Sequence, residues 1–227
     1  ENNKFYRVTA DGQTNELTSQ LFYGVEDVTW AAGQDRAILE YPDGSNIFYD
    51  FATDKQYSLP DNWHDFSFNS SGSQVAFMND DLNIENRWLA IASPDASEVE
   101  LIEQLGDNGD EVISSWSPND QVIAFSQTGD PMGVWLQEIY AIGKNNENFP
   151  SLIVNGRGFE PKWSDDGSLL LYSVYNGDTN YNPTLWLATA QGSNMGASNV
   201  SLGLSTWAKK CTFSSDMSDI YCAVPVD

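Results

Sequence analysis

The sequence predicts an all-β fold, a β-propeller of four-stranded antiparallel blades, on three observations. A segment recurs about every 40–50 residues, in which an aromatic residue precedes a polar turn and an apolar strand. Two further strand-like segments follow most recurrences, and four strands per repeat is the composition of a propeller blade. No helical periodicity of any length competes with these strands.

Five segments carry the repeat, and each has an aromatic residue before its turn that we call the anchor. The segments read VTWAAGQDRAILEY, FSFNSSGSQVAFMN, SSWSPNDQVIAFSQ, PKWSDDGSLLLYSV and CTFSSDMSDIYCAV, with anchors Trp30, Phe68, Trp116, Trp163 and Phe213. A strand, a tight polar turn and a second strand make a hairpin. We therefore expect the anchors to occupy equivalent, buried positions in successive blades.

Third and fourth strands complete the predicted repeats. Third strands are predicted at 47–51, 87–92, 138–143 and 184–190, and weaker fourth strands at 55–59, 99–104 and 151–155. This places repeats at 26–60, 64–104, 112–155 and 159–204 within a single domain spanning 1–227. A fifth blade forms if 210–227 is completed by 4–18, which would leave no open sheet edge. The alternative, equally compatible with the sequence, is a fragment of a ring of six to eight blades.

The charge balance excludes two classes of partner. The chain has 33 acidic and 10 basic residues, a formal net charge of −23, which repels nucleic acids and anionic membrane surfaces. No apolar stretch approaches the length of a membrane span, and no signal or anchor segment is visible. Solubility explains the charge most simply, and a cationic partner is the second explanation.

Histidine and cysteine, which many catalytic and metal sites require, are scarce in the sequence. There is one histidine, His64, and there are two cysteines, so a clustered transition-metal site and a Ser-His-Asp site are not expected. No nucleotide-binding or calcium-binding motif occurs. We therefore expect no enzyme activity, no catalytic residues, no metal and no cofactor. Acidic loops are candidate cation-binding segments, although solvated turns are the favoured interpretation, at Asp80, Asp107, Asp110 and Asp178.

Carboxylates precede the anchors at similar distances. Equivalent positions of different blades converge around the channel mouth of a propeller, so these carboxylates are candidates for a shared binding site. Aromatic residues in loops between blades are candidates for contact with a ligand. The candidate binding residues are Asp27, Trp63, His64, Asp65, Glu111, Glu160 and Trp207. The alternative function is a five-bladed glycoside hydrolase or a lectin that uses the same carboxylates.

Two repeats resemble a known family. The runs WSPNDQVIAF at 116–125 and WSDDGSLLLY at 163–172 resemble the WD40-like repeats of TolB-type propellers, as do Ile139-Tyr140 and Leu17-Thr18 at later positions of the pattern. The turn differs more from this pattern in the other three repeats. The resemblance implies a non-catalytic binding or structural module that mediates protein–protein interaction at the bacterial cell envelope or surface. It also implies an extracytoplasmic location, whether periplasmic, secreted or on the cell surface.

The two cysteines flank the last predicted hairpin. A four-residue turn at 215–218 pairs Ser214 with Asp219 and, further along the two strands, Cys211 with Cys222. Directly opposed residues of antiparallel strands have Cα atoms about 4.5–5.5 Å apart, within the range of a disulfide. A cytoplasmic protein would keep both thiols reduced. Because the resemblance implies an extracytoplasmic location, we expect the disulfide.

Overall fold

The strands that the structure describes group into four four-stranded antiparallel sheets and two two-stranded hairpins. The computed structural model describes residues 2–129, 132–145 and 147–225. The four sheets are propeller blades, so the predicted fold class is confirmed. The chain divides into two compact units, Glu1–Gly109 and Asp110–Asp227.

The first unit contains an N-terminal hairpin and two blades. The hairpin pairs β1 (Tyr6–Val8) with β2 (Thr14–Glu16). Blade 1 has the order β3 (Asp27–Trp30), β4 (Arg36–Glu40), β5 (Asn46–Asp50) and β6 (Lys55–Leu59). Blade 2 has the order β7 (Trp63–Phe68), β8 (Val75–Asn79), β9 (Trp88–Ala92) and β10 (Glu100–Gln104).

The second unit contains two blades and a C-terminal hairpin. Blade 3 has the order β11 (Val112–Ser114), β12 (Ala124–Ser126), β13 (Leu136–Ile142) and β14 (Leu152–Asn155). Blade 4 has the order β15 (Arg157–Trp163), β16 (Leu169–Tyr175), β17 (Thr184–Thr189) and β18 (Asn199–Ser201). The hairpin pairs β19 (Cys211–Phe213) with β20 (Ile220–Cys222).

Helical structure in the described residues is limited to short 3-10 turns between strands. These turns are Ile84–Asn86, Gly106–Glu111, Gly177–Thr179, Gly192–Asn194 and Ala208–Lys210. Within residues 2–129, 132–145 and 147–225, no helix is long and apolar enough to cross a membrane.

Each core lies between neighbouring sheets, so the second strand of a blade is buried on both faces. In β4, Ile38 packs into the cluster between blades 1 and 2. Its neighbours Ala37 and Leu39 point the other way, into the cluster beneath the N-terminal hairpin. In β16, Tyr172 faces blade 3, whereas Leu171 faces the C-terminal hairpin. The alternation of side chains along a strand produces this two-sided burial.

Four of the five anchors end the first strand of a blade or hairpin, as the repeat predicts. Phe68 and Phe213 are buried, and Trp163 is half-buried with its ring stacked on Phe125, 5.4 Å between centroids. Trp116 is buried but lies two residues beyond the end of β11.

Trp30 departs from the prediction, because 44% of its surface is exposed. Anchors of blades 2 and 4 pack against the preceding blade of their own unit, as Phe68 does on Phe48 and Trp163 on Phe125. Trp30 is preceded in its unit only by the two-stranded hairpin. It packs against Phe5 and Phe51, which leave part of the indole uncovered.

The two hairpins are separate two-stranded sheets. They are the strands that a fifth blade would require. Their joining into one blade, and the single-domain organisation over 1–227, stay predictions.

The turn between the first two strands places one residue in the left-handed region in all five repeats. These residues, with φ between 57° and 69°, are Gly33, Gly72, Asp120, Gly167 and Met217. In blades 2 and 4 the previous blade also contacts the turn: the Asn119 side-chain amide donates to the Gly167 carbonyl at 2.9 Å. A Cβ on Gly167 would lie 2.8 Å from Cγ of Asn119, so the left-handed conformation favours glycine there and the close approach of Asn119 leaves no space for a larger residue.

We expect Gly167→Ala to lower the free energy of unfolding by about 2–4 kcal/mol, from backbone strain and overpacking against Asn119. Gly33→Ala is the matched control, because Gly33 has a similar φ of 66° and a methyl group added there would have no other atom within 4 Å. It should cost only about 1 kcal/mol. Urea unfolding followed by tryptophan fluorescence measures both, and equal losses would show that the contact between blades contributes nothing.

The predicted disulfide is present. Cys211 and Cys222 are directly opposed in the C-terminal hairpin and bonded, with Cα atoms 4.0 Å apart. The backbone N–H of Ser214 donates to the Asp219 carbonyl at 2.9 Å, which closes the turn in the predicted register. Such a bridge is typical of an oxidising, extracytoplasmic environment.

Freshly isolated native protein, unreduced, should therefore contain no free thiol by mass spectrometry after alkylation. Replacing both cysteines by serine should lower the free energy of unfolding by about 2–3 kcal/mol, because the bridge closes a short loop in the unfolded chain. Two alkylated cysteines in the native material would contradict both the bridge and the extracytoplasmic location.

Candidate functional site

In the first unit, carboxylates from blade 1 face the start of blade 2. The start of β3, the end of β4 and the start of β7 lie around a cleft of about 310 Å³. The residues that line it are Glu26, Asp27, Glu40, Tyr41, Gly44, Asn46, Asp61, Trp63 and His64. Three of the predicted binding residues, Asp27, Trp63 and His64, are therefore brought together.

The centre of this cleft is a pair of carboxyl groups. Asp27 and Glu40 are direct cross-strand partners in the register of β3 and β4. Opposed like charges destabilise a sheet, so this pair weakens the pairing of β3 with β4 when both groups are ionised. One oxygen of Asp27 accepts the backbone N–H of Val28 at 2.8 Å. In the part of the chain that the structure describes, Glu26, Asp27 and Glu40 belong to no ion pair.

The surroundings of Glu40 raise the pKa of its carboxyl group strongly. Burial raises the pKa of Glu40 to about 7, and the negative charges of Asp27, Asp65 and Glu26 contribute to the increase. The side chain is only half-buried, so ligands in solution can reach it. Near neutral pH, Glu40 exchanges a proton and Asp27 is its charged neighbour, which is the arrangement that acid–base chemistry and cation binding both use.

Asp65, which helps to raise the pKa of Glu40, has an unusual backbone conformation. Its φ is +54°, in the left-handed region, and it lies where the pairing of β7 with β8 shifts between His64 and Ser67. Such bulges redirect side chains at the end of a strand. Here the consequence is that the charge of Asp65 acts on Glu40 of the neighbouring blade.

Trp63 and Asn46 fix the floor of the cleft. Trp63 is buried and its ring stacks on Phe77, with centroids 3.7 Å apart, so the predicted loop tryptophan is part of the core. The buried Asn46 side chain donates to the Trp63 carbonyl at 2.7 Å and links the two blades. His64 beside it is exposed.

Glu160 and Trp207 come together in the second unit, around Lys209. One Glu160 oxygen accepts the backbone N–H of Lys209 at 2.9 Å, and the other pairs with its Nζ at 3.2 Å. The same Nζ lies 5.9 Å from the centre of the Trp207 ring. Glu160 occupies the position of Asp27 three residues before an anchor, but its charge is neutralised within the protein.

The remaining predicted acidic residues lie neither in the cleft at Asp27 and Glu40 nor in the contacts around Lys209. Glu111 is exposed at the end of a 3-10 turn, and Asp80 pairs with Arg87 Nε at 2.8 Å. Asp107, Asp110 and Asp178 are exposed in 3-10 turns. Across residues 2–129, 132–145 and 147–225, no three His, Cys, Asp or Glu side chains are placed to hold a metal ion.

The central residue of the first cleft, Glu40, was missed by the sequence analysis, as was Glu26. The hairpin register contains the signal for Glu40. A turn that pairs Trp30 with Ala37 pairs Asp27 with Glu40 three residues further along. This is the same counting that correctly paired the cysteines.

Comparison with known proteins gives similarity in structure only. No model of a protein family matches the chain, and no curated protein matches it in sequence. Among solved structures, an oligogalacturonate lyase in complex with manganese is similar, with TM-score 0.55 and 15% identity over 95% of this chain and 62% of that one. The chain thus spans less than two thirds of that enzyme.

Two further solved structures are similar to the chain. Kluyveromyces lactis Hsv2 matches with TM-score 0.58 and 10% identity, over 98% of this chain and 66% of that one. The β-propeller domain of the trilobed protease from Pyrococcus furiosus matches with TM-score 0.52 and 9% identity, over 79% of this chain and 57% of that one. The comparisons show a β-propeller fold. They do not show the TolB-like family.

These similarities correct the functional prediction. The sequence and its TolB-like resemblance predict a non-catalytic module for protein–protein interaction, with a glycoside hydrolase or lectin as the alternative. That prediction is wrong, because similar structures include a metal-bound lyase and a protease propeller domain, so the fold gives no support to a non-catalytic role. The separate expectation that this chain is not an enzyme stays untested.

We expect Glu40→Gln to alter the pH dependence of stability. The folded state holds the Glu40 proton more tightly than the unfolded state, whose pKa is near 4.5. The stability contribution is therefore complete below pH 4.5 and is lost as pH rises through about 7. At pH 8 the variant should be more stable than the wild type by about 1–3 kcal/mol.

Urea unfolding at intervals between pH 4.5 and pH 8 measures this effect. Glu100→Gln, at an exposed position of β10, removes the same charge from the same unit and should leave the pH dependence unchanged. Parallel curves for Glu40→Gln and the wild type would show that Glu40 ionises normally in the folded protein.

Proposed function

We propose that this chain is a TolB-like propeller domain of a bacterial protein acting at the cell envelope, and that its first unit binds an organic cation at Asp27 and Glu40. The TolB-like assignment is supported by the WSPND and WSDDG turns, and the envelope location by the disulfide. The single observation that carries the binding function is the directly opposed carboxylate pair, which has no ion-pair partner in the described chain.

A cation relieves the repulsion that the sheet otherwise retains. Bringing a positive charge to Asp27 and Glu40 replaces an unfavourable interaction with two favourable ones, in a cleft where partial burial weakens solvent screening. Because Glu40 holds a proton up to about pH 7, binding a cation competes with binding that proton. The affinity should therefore be linked to pH.

The shape of the site favours an ammonium or guanidinium group over a metal ion. The described carboxylates do not converge as metal ligands do. A cation with several N–H donors can instead bridge separate oxygens, and the cleft of about 310 Å³ is at the small end of ligand sites. The ligand is either a free amine or the side chain of a lysine or arginine on a protein partner, since both carry the same group.

Binding can be tested with Nα-acetyl-lysine methylamide, using Nα-acetyl-norleucine methylamide as the uncharged control. Two-dimensional NMR titrations should show saturable shifts around Asp27 and Glu40 with the first compound only. The affinity should rise about tenfold between pH 6 and pH 8, as Glu40 goes from mostly protonated to mostly ionised.

Matched variants locate the site. Asp27→Asn and Glu40→Gln should each weaken binding at least tenfold, whereas Glu100→Gln should not. Equal binding of the norleucine compound, or loss of affinity in all three variants alike, would overturn the proposal. So would saturable binding of Ca²⁺ at the same residues in preference to the lysine compound.

A further inference from the structure

A second cleft, of about 490 Å³, lies beside the C-terminal hairpin in the second unit. One wall is the segment from Ser205 to Lys210 that leads into β19, and the other is the segment Ala223–Pro225 that follows β20. Asn182 and Pro183 close the end. The volume is in the range of small-molecule sites.

The Cys211–Cys222 bridge joins the two walls. Lys210 directly precedes Cys211, and Ala223 directly follows Cys222. Two hydrogen bonds continue the connection: the Ala223 N–H donates to the Lys210 carbonyl at 3.0 Å, and the Thr206 hydroxyl donates to the Ala223 carbonyl at 2.7 Å. The width of the cleft is therefore set by the bridged hairpin.

The charge of the cleft is opposite to that of the chain. The chain has 33 acidic residues, but none of the described residues that line this cleft is acidic. The Lys210 ammonium makes no hydrogen bond or ion pair with the described parts of the chain, whereas the neighbouring Lys209 is paired with Glu160. Lys210 therefore brings a positive charge to the lining of the cleft, and no carboxylate of the described residues forms an ion pair with it.

The rest of the lining combines apolar and polar residues. Trp207 is half-buried with its ring edge-on to Tyr175. The other apolar lining residues are Pro183, Ala223, Val224 and Pro225, and the polar ones are Asn182, Ser205 and Thr206. Ligand sites commonly combine an apolar lining with a few polar groups that orient the ligand. A lysine beside several apolar residues fits a ligand with one carboxylate and a compact apolar body.

We propose that this cleft binds a small organic carboxylate, with the carboxylate on Lys210 and its apolar body against Trp207, and that the disulfide holds the cleft in its binding shape. This inference uses other residues than the cation site in the first unit and does not depend on it.

Phenylacetate is the probe, and phenylacetamide is its uncharged control of nearly the same shape. Titrations are followed by the indole N–H resonance of Trp207, assigned with Trp207→Phe. Phenylacetate should shift this resonance saturably, and phenylacetamide should bind at least tenfold more weakly. Equal binding of the two probes, or no shift of this resonance with phenylacetate, would overturn the proposal.

Two sets of variants separate the charge from the bridge. Lys210→Gln should weaken phenylacetate binding at least tenfold, whereas Lys162→Gln, which removes the same charge from β15, should not. Reduction of the disulfide, or replacement of both cysteines by serine, should weaken binding at least fivefold while circular dichroism shows the sheets retained. Unchanged affinity in the reduced protein would overturn the role of the bridge. Asp27→Asn should leave this titration unaffected, so the two sites can fail independently.

Discussion

Strands that are buried on both faces need a sheet on each side, and most features of this protein follow from that requirement. In β4 the consecutive residues Ala37, Ile38 and Leu39 are all inaccessible to solvent, although their side chains point to opposite faces. The same holds for β8 and for most of β16. A single blade would expose both of these faces, and a blade with one neighbour would expose one of them, so a blade is stable only as part of a stack. Trp30 lies beside a two-stranded hairpin instead of a full blade, and part of its side chain is therefore exposed to solvent.

Two-sided burial also restricts where chemistry can be placed. The middle of each second strand has no room for an unpaired charge, because burying one is expensive. Charged and polar side chains are accordingly found at strand ends and in turns, where Glu40 closes β4 and Asp27 opens β3. The turns themselves are occupied by Asx-type hydrogen bonds, such as the one that the backbone N–H of Ser168 donates to the Asp166 carboxylate. The strand ends opposite to these turns are therefore where ligands have access.

Local rules were enough to predict the repeat, the hairpins and the disulfide, because each depends on residues close together in the sequence. Counting outward from the turn at 215–218 paired Cys211 with Cys222 correctly. The same counting would have paired Asp27 with Glu40. The effect of Asp65 on Glu40 could not be obtained in this way, because it depends on the packing of two blades and on a left-handed residue at a bulge. The pairing of Glu160 with Lys209 is likewise a contact between segments distant in sequence.

Equivalent positions in blades 1 and 4 carry a carboxylate, but the charges around it differ. Asp27 and Glu160 both lie three residues before an anchor, but their cross-strand partners differ: Asp27 opposes Glu40, whereas Glu160 opposes Ser173. Ser173 instead accepts the backbone N–H of Ala208, and Lys209 neutralises Glu160, so in blade 4 the position stabilises the entry of the next hairpin. In blade 1 a second carboxylate replaces the serine, and the structure supplies no cation to the pair in the part of the chain that it describes. The two positions are equivalent in the repeat, so the difference in electrostatics comes from the side chains that oppose and surround them.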